Sequence, residues 1–144
     1  MKLKHLTTSA LALILIAGCG DDDGVGVEPD DIAGTWTATS MLFTSEADNT
    51  VTEDPVVDDG AVVTLVLTSD GTYTFTFVLD PENETDTGTY TTSGSTLTIT
   101  PTGETAETFT IVRDGDTMTL SGDDTFDFGS GTEEDATFVL TMTR

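Results

Sequence analysis

The side chains in this sequence that are best suited to chemistry are carboxylates in adjacent positions. They lie in segments typical of loops: Asp58-Asp59, Asp123-Asp124 and Glu133-Glu134-Asp135. A glycosidase holds two carboxyl groups roughly 5–9.5 Å apart and gives them different pKa values. Neighbouring acids in one loop provide neither the separation nor the different surroundings. The pattern therefore predicts a protein that is not an enzyme.

Two acidic segments, Asp114-Gly115-Asp116 and Asp123-Asp124, carry the oxygen ligands that a hard cation such as Ca²⁺ prefers. An EF-hand loop also needs alternating ligands before a glycine and a glutamate further along, and no segment has that pattern. Asp114-Gly115 is more typical of a hairpin turn. The sequence predicts no metal site and no cofactor, and cation binding by converging loop acids stays open as a third class of function.

The single cysteine, Cys19, ends the segment Leu15-Ile16-Ala17-Gly18-Cys19. Lys2 and Lys4 precede an apolar run over residues 6–17, which is the order of a secretory signal. That run is shorter than the ~20 residues that a membrane-spanning helix needs. The cleavage site resembles that of bacterial lipoproteins, in which the cysteine is lipidated and becomes the new N-terminus.

This resemblance implies three segments. Residues 1–18 are the lipoprotein signal peptide, residues 19–31 are the lipidated Cys19 with an acidic flexible tether, and residues 32–144 are the folded domain. The lipid makes a membrane the first expected partner. The expected location is the cell envelope, foremost the outer membrane, with the domain facing either the periplasm or the outside.

The charge of the mature chain excludes several functions. Removal of the signal peptide leaves no lysine, no histidine, two arginines and all 27 acidic residues. Histidine-dependent triads, Schiff-base lysines and zinc or copper held by His and Cys are therefore excluded. Nucleic acid binding is excluded as well, since it needs a cationic surface. The acidity fits salty surroundings, solubility at a surface, or capture of hard cations.

From Ile32 onward apolar and polar residues alternate, which predicts strands and no helix. The eight predicted strands cover residues 35–43, 61–68, 72–79, 88–92, 96–100, 108–113, 116–120 and 136–143. Residues 46–60 and 122–135 read as long loops, the second carrying Phe126 and Phe128 as a short strand or a flap. Pro81 and Asn83 indicate a longer turn.

Eight strands joined mostly by hairpins predict an all-β fold, an eight-stranded up-and-down antiparallel barrel. A β-sandwich is the alternative, because its strands alternate in the same way. The clearest strand carries Tyr73, Phe75 and Phe77 on one face, and Tyr90 follows on the next strand. This aromatic face either lines a ligand cavity or is packed core.

Short motifs spread over residues 32–144 resemble the lipocalin-like domain of small bacterial lipoproteins. They are Gly34-Thr35-Trp36, Ser69-Asp70-Gly71-Thr72-Tyr73, Gly88-Thr89-Tyr90, Leu97-Thr98-Ile99 and a final strand that ends at Arg144. The resemblance implies that Trp36 closes one end of the barrel. It also implies that an arginine packs across Trp36, with Arg144 as the first candidate and Arg113 as the second.

The resemblance further implies a small apolar ligand at Tyr73, Phe75, Phe77 and Tyr90. The predicted function is thus a lipid-anchored envelope protein with a non-enzymatic binding domain. The alternative is a structural or protein-interaction module with a filled core and no ligand. A closed barrel with an internal void favours the first function, and a filled barrel or a sandwich favours the second.

Overall fold

The computed structural model describes residues 26–144. The predictions for the signal peptide, for lipidation of Cys19 and for the first part of the tether lie outside the described residues. Within residues 26–144, no helix combines the length and the apolar character needed to cross a bilayer.

Nine strands and two one-turn helices make up the described chain. In order they are α1 (Pro29–Ile32), β1 (Gly34–Ser45), β2 (Thr52–Glu53), α2 (Pro55–Asp58), β3 (Val62–Leu67), β4 (Thr72–Leu79), β5 (Glu82–Ser93), β6 (Thr96–Pro101), β7 (Glu107–Asp114), β8 (Thr117–Phe126) and β9 (Glu134–Thr143).

The strands close into an eight-stranded, up-and-down antiparallel barrel, which confirms the predicted fold class over the sandwich. From β3 to β9 each strand pairs with the next one along the chain. The long strand β1 completes the ring, because residues 34–37 pair with β3 and residues 37–45 pair with β9. The two-residue β2 pairs with β1 alone and is not part of the ring.

A register shift between Ala38 and Ser40 marks the place where β1 leaves β3 and continues along β9. Past this point a carboxylate, instead of β3, accepts hydrogen bonds from β1. Asp54 accepts the Met41 N–H at 2.9 Å and the Ser40 hydroxyl at 2.5 Å. The same carboxylate accepts the first free N–H groups of α2, so it also caps that helix.

Every second residue of each strand faces the barrel interior, as the period of two requires. The buried core consists of Ile32, Trp36, Ala38, Met41, Phe43, Val63, Leu65, Leu67, Tyr73, Tyr90, Leu97, Ile111, Met118, Leu120, Phe126, Ala136, Phe138, Leu140 and Met142. The barrel has two unlike ends. We call the end where β1 begins and β9 finishes the closed end, and the opposite end the open end.

The strands extend further towards the open end than their sequence pattern indicates. β5 begins at Glu82, so Asn83 is a strand residue paired with Val78, and the longer turn predicted there is wrong. β8 runs to Phe126 and stays paired with β9, which shortens the second long loop. The first long loop contains β2 and α2. These segments are acidic, so their hydrophobic alternation is weak although their backbone pairing is intact.

Candidate functional site

The closed end is sealed by Trp36, which is completely buried. Its Nε1–H donates to the Ile32 carbonyl at 2.7 Å, so α1 lies across this end. The Arg144 guanidinium lies over the indole with Cζ 4.6 Å from the ring centroid, and Nη1 donates to the Ala33 carbonyl at 3.2 Å. Arg113 donates instead to Gly115, in its own turn. No ligand could enter here without removing these contacts.

The chain preceding α1 also lies against the closed end. The Val27 N–H donates to the Gly94 carbonyl at 3.0 Å, and the Val27 side chain packs on the core. The last residues of the segment expected to be a flexible tether are therefore held to the barrel.

Tyr90 lies at the closed end, away from the other predicted ligand contacts. Its ring is 3% exposed, and its hydroxyl donates to the Thr68 carbonyl at 2.6 Å. The strand register explains this position, because Tyr73 stands opposite Gly88 and Tyr90 lies two residues further towards the closed end. Tyr90 helps to seal the barrel.

The open end contains a cavity of about 470 Å³ that reaches into the barrel. Its size is within the range of about 300–1,000 Å³ that is usual for small-molecule sites. Aliphatic side chains from four strands form its floor: Met41, Leu65, Leu120 and Leu140. Aromatic rings form much of its wall: Phe43, Tyr73, Phe75, Phe109 and Phe138.

Two of the four predicted ligand residues, Tyr73 and Phe75, line this cavity. Phe77 packs against the core but is not part of the cavity wall. Gly88 leaves the space that the Tyr73 ring occupies, since a Cβ at Gly88 would lie 2.9 Å from Tyr73 Cε1 and 2.1 Å from the Thr100 carbonyl oxygen. Ligand contact by Tyr73 and Phe75 stays a prediction.

Aromatic stacking fills the other side of the open end. The rings of Phe43 and Phe126 stack with centroids 4.2 Å apart, and Phe128 meets Phe126 edge-on at 5.0 Å. Phe126 therefore ends a strand, and Phe128 follows it and covers its ring. The lining of the cavity opposite this cluster comes from β4 to β8.

Carboxylates form the remaining wall of the cavity, and of these the sequence singled out only Asp124, as one member of an adjacent pair. They are Glu84, Asp86, Glu104, Glu107 and Asp124. The Tyr73 hydroxyl donates to Asp86. All except Glu104, which lies in a turn, come from strand positions in phase with inward-facing apolar residues, as Glu107 is with Phe109 and Ile111. That phase was visible in the sequence, but acids are ordinarily assigned to the solvent face.

The surroundings of Glu107 and Asp124 disfavour the charged forms of these two acids. Burial, followed by repulsion from Asp124, Glu104 and Asp86, raises the pKa of Glu107 to about 7. Burial also raises the pKa of Asp124, with a further contribution from Glu133. The pKa of Tyr73 is raised by burial and by its hydrogen bond to Asp86. These raised pKa values result from carboxylates that lie close together in a space partly shielded from water.

The adjacent acids considered for catalysis do not act as pairs. Asp124 lines the cavity, whereas its exposed neighbour Asp123 borders a groove of about 500 Å³ on the outer face, where β7 and β8 separate. Asp58 accepts the Asp54 N–H at 3.1 Å and so supports α2. Among residues 26–144, no group of three or more acids is arranged to hold a metal ion.

A closed up-and-down barrel with one sealed end and a cavity at the other defines a class of protein whose fold suits the binding of a small molecule. A family model described as a lipocalin-like domain matches residues 32–120. The match covers more than half of the chain, and the chain belongs to this family. No curated protein and no solved structure matches the chain significantly.

Proposed function

We propose that this protein is a lipid-anchored, non-enzymatic lipoprotein of the cell envelope whose barrel binds one small, largely apolar molecule. The observation that carries the binding part is the cavity of about 470 Å³ at the open end, floored by Met41, Leu65 and Leu120. Burial of apolar ligand surface there would contribute about 25 cal/mol per Å² before the costs of association.

The alternative function, a structural or interaction module, requires a filled core. A barrel of eight strands can be filled completely by its own side chains. The void beside Tyr73 and Phe75 therefore supports the ligand-binding function. The anchor is supported by the signal-like segment before Cys19, and two or more acyl chains on that cysteine would hold the protein firmly on a membrane.

Native mass spectrometry tests the binding proposal on the full chain, extracted gently from the membranes of its own host. We expect one apolar molecule per chain, lost in Phe75→Arg, which puts a charged side chain into the cavity wall. Val112→Arg is the matched control, because Val112 is 58% exposed on the outer face of β7. A bare wild-type mass, unchanged after incubation with apolar compounds, would contradict ligand binding and favour the interaction module.

The anchor is tested separately by growing cells with an alkyne analogue of palmitate. The wild-type chain should become labelled and fractionate with the outer membrane, and Cys19→Ser should not become labelled. Absence of label from the wild-type chain would show that Cys19 carries no lipid, without affecting the binding proposal.

A further inference from the structure

The cavity at the open end is divided into an apolar part and an acidic part. Its floor is aliphatic and much of its wall is aromatic, while β5, β7 and β8 contribute Glu84, Asp86, Glu107 and Asp124 to the rest of the wall. A cavity that served only a neutral apolar molecule would need a few neutral polar groups at most. The acidic wall therefore carries information about the ligand.

The acids are built into the barrel by strand register. Asp86 stands directly opposite Phe75 on β4, and Glu107 stands opposite Ile99 on β6, so each acid adjoins an apolar residue that also lines the cavity. Glu107 is partly buried there, and removal of a carboxylate from water costs free energy unless a partner compensates.

The chain supplies no cationic partner for these acids within its described residues. Residues 26–144 contain no lysine and no histidine, and their two arginines are both engaged at the closed-end side of the barrel. Arg113 donates to the Gly115 carbonyl, and Arg144 covers Trp36. Burial is the main reason why the pKa values of Glu107 and Asp124 are raised, and repulsion from neighbouring acids, with no cation beside them, raises these values further.

A bare metal ion does not fit the arrangement. No three acids among residues 26–144 converge as metal ligands would. A larger cation, with its charge at the acidic wall and an apolar body on the floor, uses both parts of the cavity at once. Aromatic rings at Tyr73, Phe75 and Phe109 also suit an organic cation, because their faces attract positive charge.

We propose that the cavity selects organic cations, namely molecules with a protonated amine or quaternary ammonium group on an apolar body. This inference rests on the proposed function, since it names the class of ligand for the same cavity. Apolar anions such as fatty acids are disfavoured there, because their carboxylate would meet an acidic wall without a counter-ion.

The test compares three ligands that share one six-carbon chain: n-hexylamine, 1-hexanol and hexanoate. The full chain is held in phosphatidylcholine nanodiscs, with empty nanodiscs as the baseline, and carries ¹³C-methyl methionine. Met41 lines the cavity and reports binding, whereas Met118 and Met142 are buried at the closed end and serve as internal references.

We expect hexylamine to shift the Met41 methyl signal with an affinity about tenfold above that of hexanol, and hexanoate to leave it unchanged. The preference should decrease in about 0.5 M salt, where opposite charges are screened. Asp124→Asn should reduce hexylamine affinity about fivefold and leave hexanol affinity unchanged. Asp123→Asn, on the outer face, is the matched control and should change neither.

Hexylamine binding should also strengthen as the pH rises through the pKa of Glu107, about 7, while the amine stays protonated. The other titratable groups facing Glu107 are Asp86 from β5, Glu104 from the β6–β7 connection, Asp124 from β8 and the Tyr73 hydroxyl from β4.

The outcomes separate the two proposals. Equal affinities for hexylamine and hexanol, or tighter binding of hexanoate, would overturn the cation inference and leave apolar-ligand binding intact. A Met41 signal that no ligand shifts would overturn both. An Asp123→Asn variant as impaired as Asp124→Asn would attribute the preference to the overall charge of the protein and overturn selection by the cavity.

Discussion

The two ends of this barrel use the same strands in opposite ways. At the closed end, polar atoms are paired and rings fill the interior, as the Trp36 Nε1–H and the Tyr90 hydroxyl illustrate with their carbonyl partners. At the open end, the interior holds a cavity and inward-facing acids such as Glu107 and Asp124. Complete packing gives stability at one end, and incomplete packing with unbalanced charge provides a binding site at the other.

Truncation of one ring at each end gives the sharpest test of this contrast. Trp36→Ala should lower the free energy of unfolding by about 3–5 kcal/mol, since Trp36 is wholly buried and its space cannot collapse. Phe75→Ala should lower it by only about 1 kcal/mol, because Phe75 borders an existing cavity and is partly exposed.

Urea denaturation followed by circular dichroism measures both losses. Trp36→Phe, which keeps a ring but removes the Nε1–H, provides a folded variant if Trp36→Ala does not fold. Equal losses at the two positions would mean that the open end contributes as much packing as the closed end.

Much of the fold was accessible from the sequence because strand alternation and barrel closure depend on apolar residues. The strand over residues 72–79 is observed with the predicted boundaries, and the eight strands of the barrel are confirmed, with the short β2 outside the ring. Glu84 and Glu107 were missed, and Asp124 was considered only as one member of an adjacent pair, because an inward-facing acid near a strand end looks in the sequence like a solvated one. The strand register pairs Phe77 with Glu84 and places Tyr90 beyond Tyr73, and it thereby shows which end of the barrel each of these residues occupies.

Asp54 is more deeply buried than the acids of the cavity, but its carboxylate has several hydrogen-bond partners. Although burial opposes it, hydrogen bonds from Ser40, Met41 and the first turn of α2 keep the pKa of Asp54 below its ordinary value of 3.8. Asp54→Ala should therefore cost about 2–3 kcal/mol, because it leaves several N–H groups without an acceptor.

The sign of the pH dependence follows from the lowered pKa. Asp54 contributes stability above the ordinary value of 3.8, and this contribution is lost as the pH falls through the lower pKa of the folded state. Urea denaturation at a series of acidic pH values should show a steeper loss for the wild type than for Asp54→Ala. Asp114→Ala, at the exposed end of β7, is the control, and a loss as large as that of Asp54→Ala would contradict this role.

Replacement of Arg144 tests whether a charged side chain stabilises the closed end, whereas charge at the open end is expected to lower stability. Arg144→Met keeps much of the side-chain length but removes the guanidinium over Trp36, and should cost about 1–2 kcal/mol. The Arg144–Asp116 pair at 3.7 Å adds little, because Asp116 is 82% exposed. Arg113→Met should stay within about 0.5 kcal/mol of the wild type in thermal unfolding. Similar effects at the two arginines would mean that contact with Trp36 is not what stabilises this end.

Glu107→Gln should produce the smallest effect and the opposite sign. The Glu107 pKa is raised from 4.5 to about 7, so the folded state binds the proton more tightly than the unfolded chain does. The wild type is therefore favoured below pH 4.5 and loses that contribution as the pH rises towards about 7. Since solvent reaches this side chain, neutralisation should stabilise the ligand-free protein at neutral pH by only about 0.5–1 kcal/mol.

The measurement is the thermal midpoint of each protein between about pH 4.5 and 8. The Glu107→Gln variant should show a smaller fall than the wild type over this range, since Asp124 keeps its own raised pKa. Its binding of hexylamine should weaken although its stability increases. If Glu107→Gln gains stability but its preference for the amine is unchanged, then Glu107 lowers the stability of the protein without contributing to the ligand site. A gain accompanied by weaker amine binding would instead connect the lower stability of the open end directly to the selection of a cation.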